Sequence, residues 1–305
     1  MPRRLPRYPI YVPSKGRART SQTARFLTRD GVPFRLVVEA EEAEEYRARW
    51  PGAEVLVLPF SNLGSVVPAR NWIMDHAIGE GHVRHWQLDD NINDVRRLYR
   101  GKRLPCNSGP ALAVVEDFTE RYLNIAIAGL NYQMFVTDVT SVPFYLNCHV
   151  YSCCLFDNRL PFRWRGRYNE DTDLCLQVLS AGYCTVALNV FHAHKQQTMK
   201  SKGGNTEALD YFNDGRLRMA RALERQWPHV VSVSRRYRRP QHVIRDAWRG
   251  FDQPLLRDPS FDWDGLPERD EYGLELVQVR ETIESPTIRR IFETASSDPL
   301  LRSAP

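Results

Sequence analysis

Residues 9–91 alternate between the period of a strand and the period of a helix. Pro9-Ile10-Tyr11-Val12-Pro13 is a short apolar run ended by the turn composition Ser14-Lys15-Gly16-Arg17, after which Thr20 or Ser21 caps a predicted helix to about Arg29. Phe34 to Val38 reads as a second strand, Glu41 to Trp50 as a charged helix stopped by Pro51-Gly52, and Glu54 to Phe60 as a third strand. Past Asn62-Leu63-Gly64-Ser65, Pro68 stands where a first helical turn tolerates it, and Ala69, Trp72, Ile73 and Ala77 keep helical spacing. His85-Trp86-Gln87-Leu88 then leads into Asp89-Asp90-Asn91. This order predicts an α/β fold, a Rossmann-like, mostly parallel sheet flanked by helices with right-handed crossovers. Ligands of such sheets gather at the carboxyl ends of the strands, where the Ser14–Arg17 turn, Glu39, Asn62 and Asp89–Asn91 all fall.

The second half is less regular. The pattern predicts a helix around Val114 to Leu130, strands at Gln133–Thr137 and His149–Phe156, a helix from Asp171 to Ala181 stopped by Gly182, and a strand from Cys184 to Phe191. Ser201 to Asn205 reads as a loop, Tyr211 to Gln226 as a basic helix and Val230–Val233 as a short strand, before a Pro- and Asp-rich remainder. The expected organisation is a catalytic domain over 1–210, a basic helix and strand over 211–250, and a small acidic C-terminal extension over 251–305.

Composition narrows the class. With 305 residues, 42% hydrophobic and 26% charged, the chain is neither disordered nor collagen-like. No apolar run approaches the ~18 residues of a membrane span, and no apolar segment follows the basic N-terminus, so a cytosolic protein with no membrane partner is expected. The six cysteines have neither CxxC nor Cys/His spacing, which argues against a zinc site and a disulfide scaffold. The net charge of +5 hides a strong division: residues 1–30 carry +7, 211–250 carry +7, and 251–305 carry −6.

Five clusters carry candidate chemistry. Asp89 and Asp90 repel one another at a strand end unless a cation joins them, and hard divalent ions prefer oxygen ligands; a solvated turn is the alternative. Asn169-Glu170-Asp171-Thr172-Asp173 puts three acids in four positions at a helix start, where a single cap would serve. His192 and His194 alternate at a strand end and suit a metal ligand or a phosphate contact. Lys200, Lys202, Gly203 and Gly204 combine cations with accessible backbone amides, the requirements for gripping phosphate, or else form a plain surface loop. Arg235, Arg236, Arg238 and Arg239 around Tyr237 match the footprint of a polyanionic backbone beside a stacking platform, and the basic N-terminus repeats the sign.

The order of PSKGR, PARN, LDDN, NEDTD and KGGN over roughly residues 8–245 resembles GT-A glycosyltransferases. It is most similar to the TET-associated glycosyltransferases of bacteriophages, relatives of the kinetoplastid base J glucosyltransferase. The resemblance implies a GT-A fold and transfer of a sugar from a UDP-sugar to 5-hydroxymethylcytosine in DNA, in the cytoplasm of a phage-infected bacterium. It implies a nucleotide pocket of Ser14, Lys15, Arg17, Glu39, Arg70, Asn71, Asp89, Lys202, Gly203 and Gly204. Asp90, Asn91 and His192 or His194 would hold Mn²⁺ or Mg²⁺. Asp171, or Glu170 beside it, would be the base of an inverting transfer, with Asp173 in a supporting role. The acceptor base must leave the duplex to reach such a cleft, and Asn147, His149 and Tyr151, alternating on the predicted strand, are its expected cradle. Alternatives are transfer to 5-hydroxymethyluracil, transfer to a protein or polysaccharide, and a non-catalytic DNA-binding module.

Overall fold

A computed structural model describes residues 4–62, 64–140, 142–195, 215–236, 239–244 and 246–275. Strands β1 (Ile10–Pro13), β2 (Arg35–Val38), β3 (Glu54–Val57) and β4 (Arg84–Leu88) alternate with helices α1 (Gln22–Asp30), α2 (Ala43–Arg49) and α3 (Val67–Gly79). There follow β5 (Ile92–Tyr99), β6 (Lys102–Cys106), α4 (Ser108–Thr119), β7 (Ile125–Tyr132), β8 (Phe144–Leu146), β9 (Cys153–Asp157), α5 (Glu170–Ser180) and β10 (Cys184–Lys195). The last described elements are α6 (Arg216–Gln226), β11 (Val231–Arg236) and β12 (Arg239–Ile244).

All strands but β11 and β12 join one sheet, in the order β3-β2-β1-β4-β9-β7-β10-β5-β6 with β8 added to β10. The strands β3, β2, β1 and β4 run parallel, as do β7 and β10, while β9 pairs antiparallel with both β4 and β7. The parallel half is the part the strand–helix alternation predicts. On β1, Ile10 and Val12 point into the core shared with α1 and α4, and Tyr11 points to the opposite face against α3. Local signals agree: Ser21 Oγ accepts from the Ala24 amide at the start of α1, and Gly31 ends it in the left-handed conformation.

The second half departs from the sequence expectation. The helix expected over Val114–Leu130 is α4, which ends at Thr119, and the strand β7, which begins at Ile125. Most of both stretches is buried, α4 including even Glu116 and Thr119, so neither shows a clean polar face and periodicity cannot separate the buried helix from the buried strand. The strand expected over Gln133–Thr137 is a short 3₁₀ turn. Residues 147–152, expected to open a strand, are irregular because Asn147 and Ser152 take φ of 51° and 60°, and β9 begins only at Cys153. Gly129 is needed where β7 meets β9: a Cβ there would lie 2.0 Å from the Cys153 carbonyl oxygen.

Helix α5 lies between two apolar clusters. Leu174, Cys175 and Val178 pack with Met74, Ile127, Phe156 and Trp164, and Leu176 packs with Leu223, Val230 and Val231 from α6 and β11. The basic segment thus rests against the helix that carries the NEDTD acids. Residues 252–275 return over the body, where Asn124 donates to the Pro254 carbonyl and accepts from the Leu256 amide, and Tyr272 enters the main core. No helix among the described residues is long and apolar enough to cross a membrane.

Candidate active site

A cleft of about 650 Å³ opens at the carboxyl ends of β1 and β4, within the ~300–1,000 Å³ range of small-molecule sites. Its floor is built from the turn after β1. Gly16 has a φ of 66°, and its amide donates to the Glu42 carboxylate. That turn delivers Ser14, Lys15 and Arg17 to the cleft. The amides of Gln22 and Thr23 at the start of α1 donate to the Asp90 carbonyl, and Thr23 Oγ1 donates to that of Asp89. The LDDN turn is therefore held by a helix N-terminus while its carboxylates face the opening.

Both carboxylates are matched by cations. Asp89 accepts from Arg70 on one oxygen, and from Lys195 at 2.7 Å and Ser152 on the other. Asp90 accepts from Arg17 and, at 2.7 Å, from Ser14. Burial opposes the charge on Asp89, but Lys195 and Arg70 outweigh it and hold that carboxyl below the usual carboxylate range. For Asp90 burial prevails over Arg17 and raises the pKa. Lys195 mirrors Asp89: burial favours its neutral form, yet Asp89 keeps it protonated.

The opposite wall carries the second acid cluster. Asn169 precedes α5 with a left-handed φ of 54°, an angle asparagine tolerates, and presents Glu170 and Asp171 to the cleft. The Thr172 amide donates to Asp171 Oδ1 at 2.7 Å. Burial raises the pKa of both acids, and their mutual repulsion raises that of Glu170 further, so the pair holds a proton above the ordinary carboxylate range. Asp173 turns away from the cleft: it takes two bonds from Arg165 and one each from Gln177 and Trp227, anchoring α5 to the loop before it and to α6.

Not every expected residue arrives. Glu39 is buried behind Lys15, which donates to it at 2.7 Å, and also accepts from the Asn62 amide. Asn71 clasps the Trp164 backbone with both ends of its amide instead of facing the cleft, and Trp164 in turn lies under the Arg70 guanidinium at 4.5 Å. Lys202, Gly203 and Gly204 lie outside the described residues. Of the expected base cradle only Tyr151 lines the cleft, because the strand that was to align the three is broken. Asn147 donates to the Gln253 carbonyl, and His149 stacks on Trp248 at 5.6 Å. Arg235 and Arg239 are exposed on the β11–β12 hairpin, to which Arg236 also belongs, and line no part of the cleft; Arg238 is outside the described residues.

The two histidines are likewise not among the cleft residues. Buried His192 turns Nδ1 to the Asn189 carbonyl at 3.2 Å, and His194 pairs with Asp94 and Arg96. Asn91 does line the cleft, and its Oδ1 is buried with no hydrogen-bond partner among the described residues. An oxygen so placed beside two carboxylates suits a hard divalent ion of the kind that takes few protein oxygens, although such an ion would have to displace the Arg17, Arg70 or Lys195 donors that those carboxylates now accept from. Among the described residues no three His, Cys, Asp or Glu side chains are grouped to hold an ion by themselves.

Other site residues escaped the sequence reading. Lys195, Ser152 and Tyr132 form a buried chain in which the ammonium donates to Ser152 Oγ at 2.7 Å and the Tyr132 hydroxyl meets the same oxygen. Tyr132 stacks on Tyr151 at 5.5 Å and on Phe135 at 6.1 Å, giving one side of the cleft an aromatic wall. Lys195 was legible in principle, since it closes β10 at the same carboxyl edge as Asp89 closes β4.

A family model described as TET-associated glycosyltransferase matches residues 8–204, from just before β1 to the KGGN segment. Comparison with curated proteins gives no match.

Proposed function

The chain belongs to the TET-associated glycosyltransferase family, and on that premise we propose that it moves a sugar from a UDP-sugar to the hydroxymethyl group of 5-hydroxymethylcytosine in DNA. The observation that carries this reading is one cleft in which cation-paired Asp89 and Asp90 face the half-buried acids Glu170 and Asp171. Transfer needs both walls: breaking the sugar–phosphate bond leaves negative charge on UDP, and the acceptor hydroxyl needs a base.

On the donor side, Lys15, Arg17, Arg70 and Lys195, four cations against the three carboxylates of Glu39, Asp89 and Asp90, leave net positive charge where the diphosphate comes to rest. Asp89, Asp90 and Asn91 would hold Mn²⁺ or Mg²⁺ there, an ion that supplies Lewis-acid neutralisation of the leaving diphosphate. On the acceptor side, Asp171 takes the hydroxymethyl proton as the oxygen attacks the anomeric carbon. The base ring of the flipped nucleotide lies against the aromatic wall that Tyr132 builds with Tyr151 and Phe135, an apolar surface of the kind an unstacked base requires.

The test is a panel of UDP-sugars with duplexes carrying 5-hydroxymethylcytosine, 5-hydroxymethyluracil or unmodified bases, with and without EDTA, read by mass spectrometry of the nucleosides. Hexose-mass addition to hydroxymethylcytosine is expected. Its absence on every hydroxymethylated duplex rejects the proposal, and addition to hydroxymethyluracil alone moves the acceptor to that base.

The raised acid pair sets the pH response. An ionised Asp171 is needed to accept the proton, and its pKa lies above the normal value, so transfer falls as pH drops while the pair is still gaining its proton. We expect an acid limb with its midpoint above the ordinary carboxylate range, toward the value of about 7 to which the neighbouring Glu170 is raised. A profile flat from pH 5 to 8 contradicts the assignment of the base to this pair.

A further inference from the structure

The β5–β6 hairpin has no role in the chemistry above, and its composition is unusual. Residues 95–106 hold Arg96, Arg97, Arg100, Lys102 and Arg103 and no acid. The strand-borne pair is occupied: Arg96 bonds Asp94, and Arg97 lies over Phe191 at 5.7 Å. Arg100, Lys102 and Arg103 are exposed at the tip. Arg100 and Gly101 have φ of 49° and 72°, the pair of positive angles of a tight two-residue hairpin turn. Asparagine, aspartate or glycine is the usual choice at the first of these positions. Arginine there accepts strain to place a cation at the tip.

The hairpin is joined to the cleft. The Arg103 guanidinium donates to the carbonyls of Gln133 and Val136 at 3.3 and 3.4 Å, holding the loop whose Met134 and Phe135 line the site. That loop exposes large apolar side chains beside the polar Thr137 and Asp138: Met134 is 73% exposed and Val139 83%. Asp138, beside Gly101, is the loop's one acid.

We infer that this hairpin and loop form the surface that grips duplex DNA on either side of the acceptor base, with Arg100 and Lys102 on phosphates and the 134–139 loop against the opened base step. The identity of the occupant rests on the reading of DNA as acceptor; the surface itself rests on charge and on its continuity with the cleft. A basic tip suits a phosphate backbone, and exposed apolar side chains beside it suit the wedge that holds a duplex open after a base leaves.

The experiment is duplex binding by fluorescence anisotropy against salt, without donor, for the wild type, Arg100→Ala/Lys102→Ala, Val139→Asp and Arg235→Ala/Arg239→Ala. Losing two phosphate contacts should flatten the slope of log K against log salt by about 1.8 and weaken binding about sixtyfold near 0.1 M salt. Val139→Asp should also weaken binding, with UDP affinity and melting temperature unchanged in both variants. A wild type that binds duplex yet transfers no sugar sinks the acceptor reading and leaves this surface standing. Wild-type affinity and slope in the double variant overturn the surface, as does a wild type that binds no duplex. A loss confined to Arg235→Ala/Arg239→Ala also overturns it, by moving the grip to the other hairpin.

Discussion

Asp171→Asn is expected to lower sugar transfer by about 10²- to 10⁴-fold, the range a positioned general base contributes, with UDP affinity nearly unchanged. The substitution is chemically narrow. An asparagine oxygen still accepts the Thr172 amide, so the start of α5 and the direction of the side chain are kept. What disappears is an electron pair basic enough to take the hydroxymethyl proton. Donor binding is spared because the groups that meet the diphosphate come from β1, α3, β4 and β10, across the cleft. Transfer rates and UDP calorimetry on the same preparation separate the two effects. Glu170→Gln is the internal control: if it, and not Asp171→Asn, removes transfer, the base is the neighbouring acid. If neither variant slows transfer tenfold, the proton leaves by another route and the acid pair has a different purpose.

How much of this was legible in the sequence follows from where the signal is local. The parallel half was legible because each of β1 to β4 is a short apolar run punctuated by turn residues, and because strand ends collect ligands in such sheets. Ser14, Arg17, Asp89 and Asp90 were found by that rule, whereas Arg70 came only with the family resemblance. The second half was not, since β7, β9 and most of β10 are buried on both faces and lose the alternation that would mark them. Gly129 shows the limit: its reason is the closeness of the Cys153 carbonyl, a contact between strands far apart in sequence.

Side-chain direction was the other thing the sequence withheld. Asn147, His149 and Tyr151 share a face only if their segment is a regular strand, and the left-handed Asn147 and Ser152 prevent that. His192 and His194 do lie on a strand, but on the face that meets Asp94 and Arg96 on β5. Lys195, one residue on, reaches Asp89 instead. A bulge between His194 and Lys195 shifts the register at that point, and such an irregularity leaves no mark in composition.

Lys195→Met carries the second large effect. Methionine fills nearly the same volume, so the change removes charge with little loss of packing. Asp89 would keep Arg70 and Ser152 but lose the ammonium that counts most among the groups holding its charge. Removing one partner of a buried pair costs ~3–5 kcal/mol when both are fully buried. Here the side chains keep 14% and 22% of their exposure, so about 2–3 kcal/mol is the reasonable share, roughly thirty- to 150-fold in an equilibrium. The loss should appear in donor binding, because the unneutralised carboxylate would then face the diphosphate, and transfer should fall at least in proportion. Lys195→Arg restores the charge on a longer side chain and should recover most of the affinity. Calorimetry with UDP and thermal melting distinguish the roles. If Lys195→Met melts earlier but binds UDP as the wild type does, Lys195 is a strut for β10 and the positive wall of the donor site rests on Arg17 and Arg70.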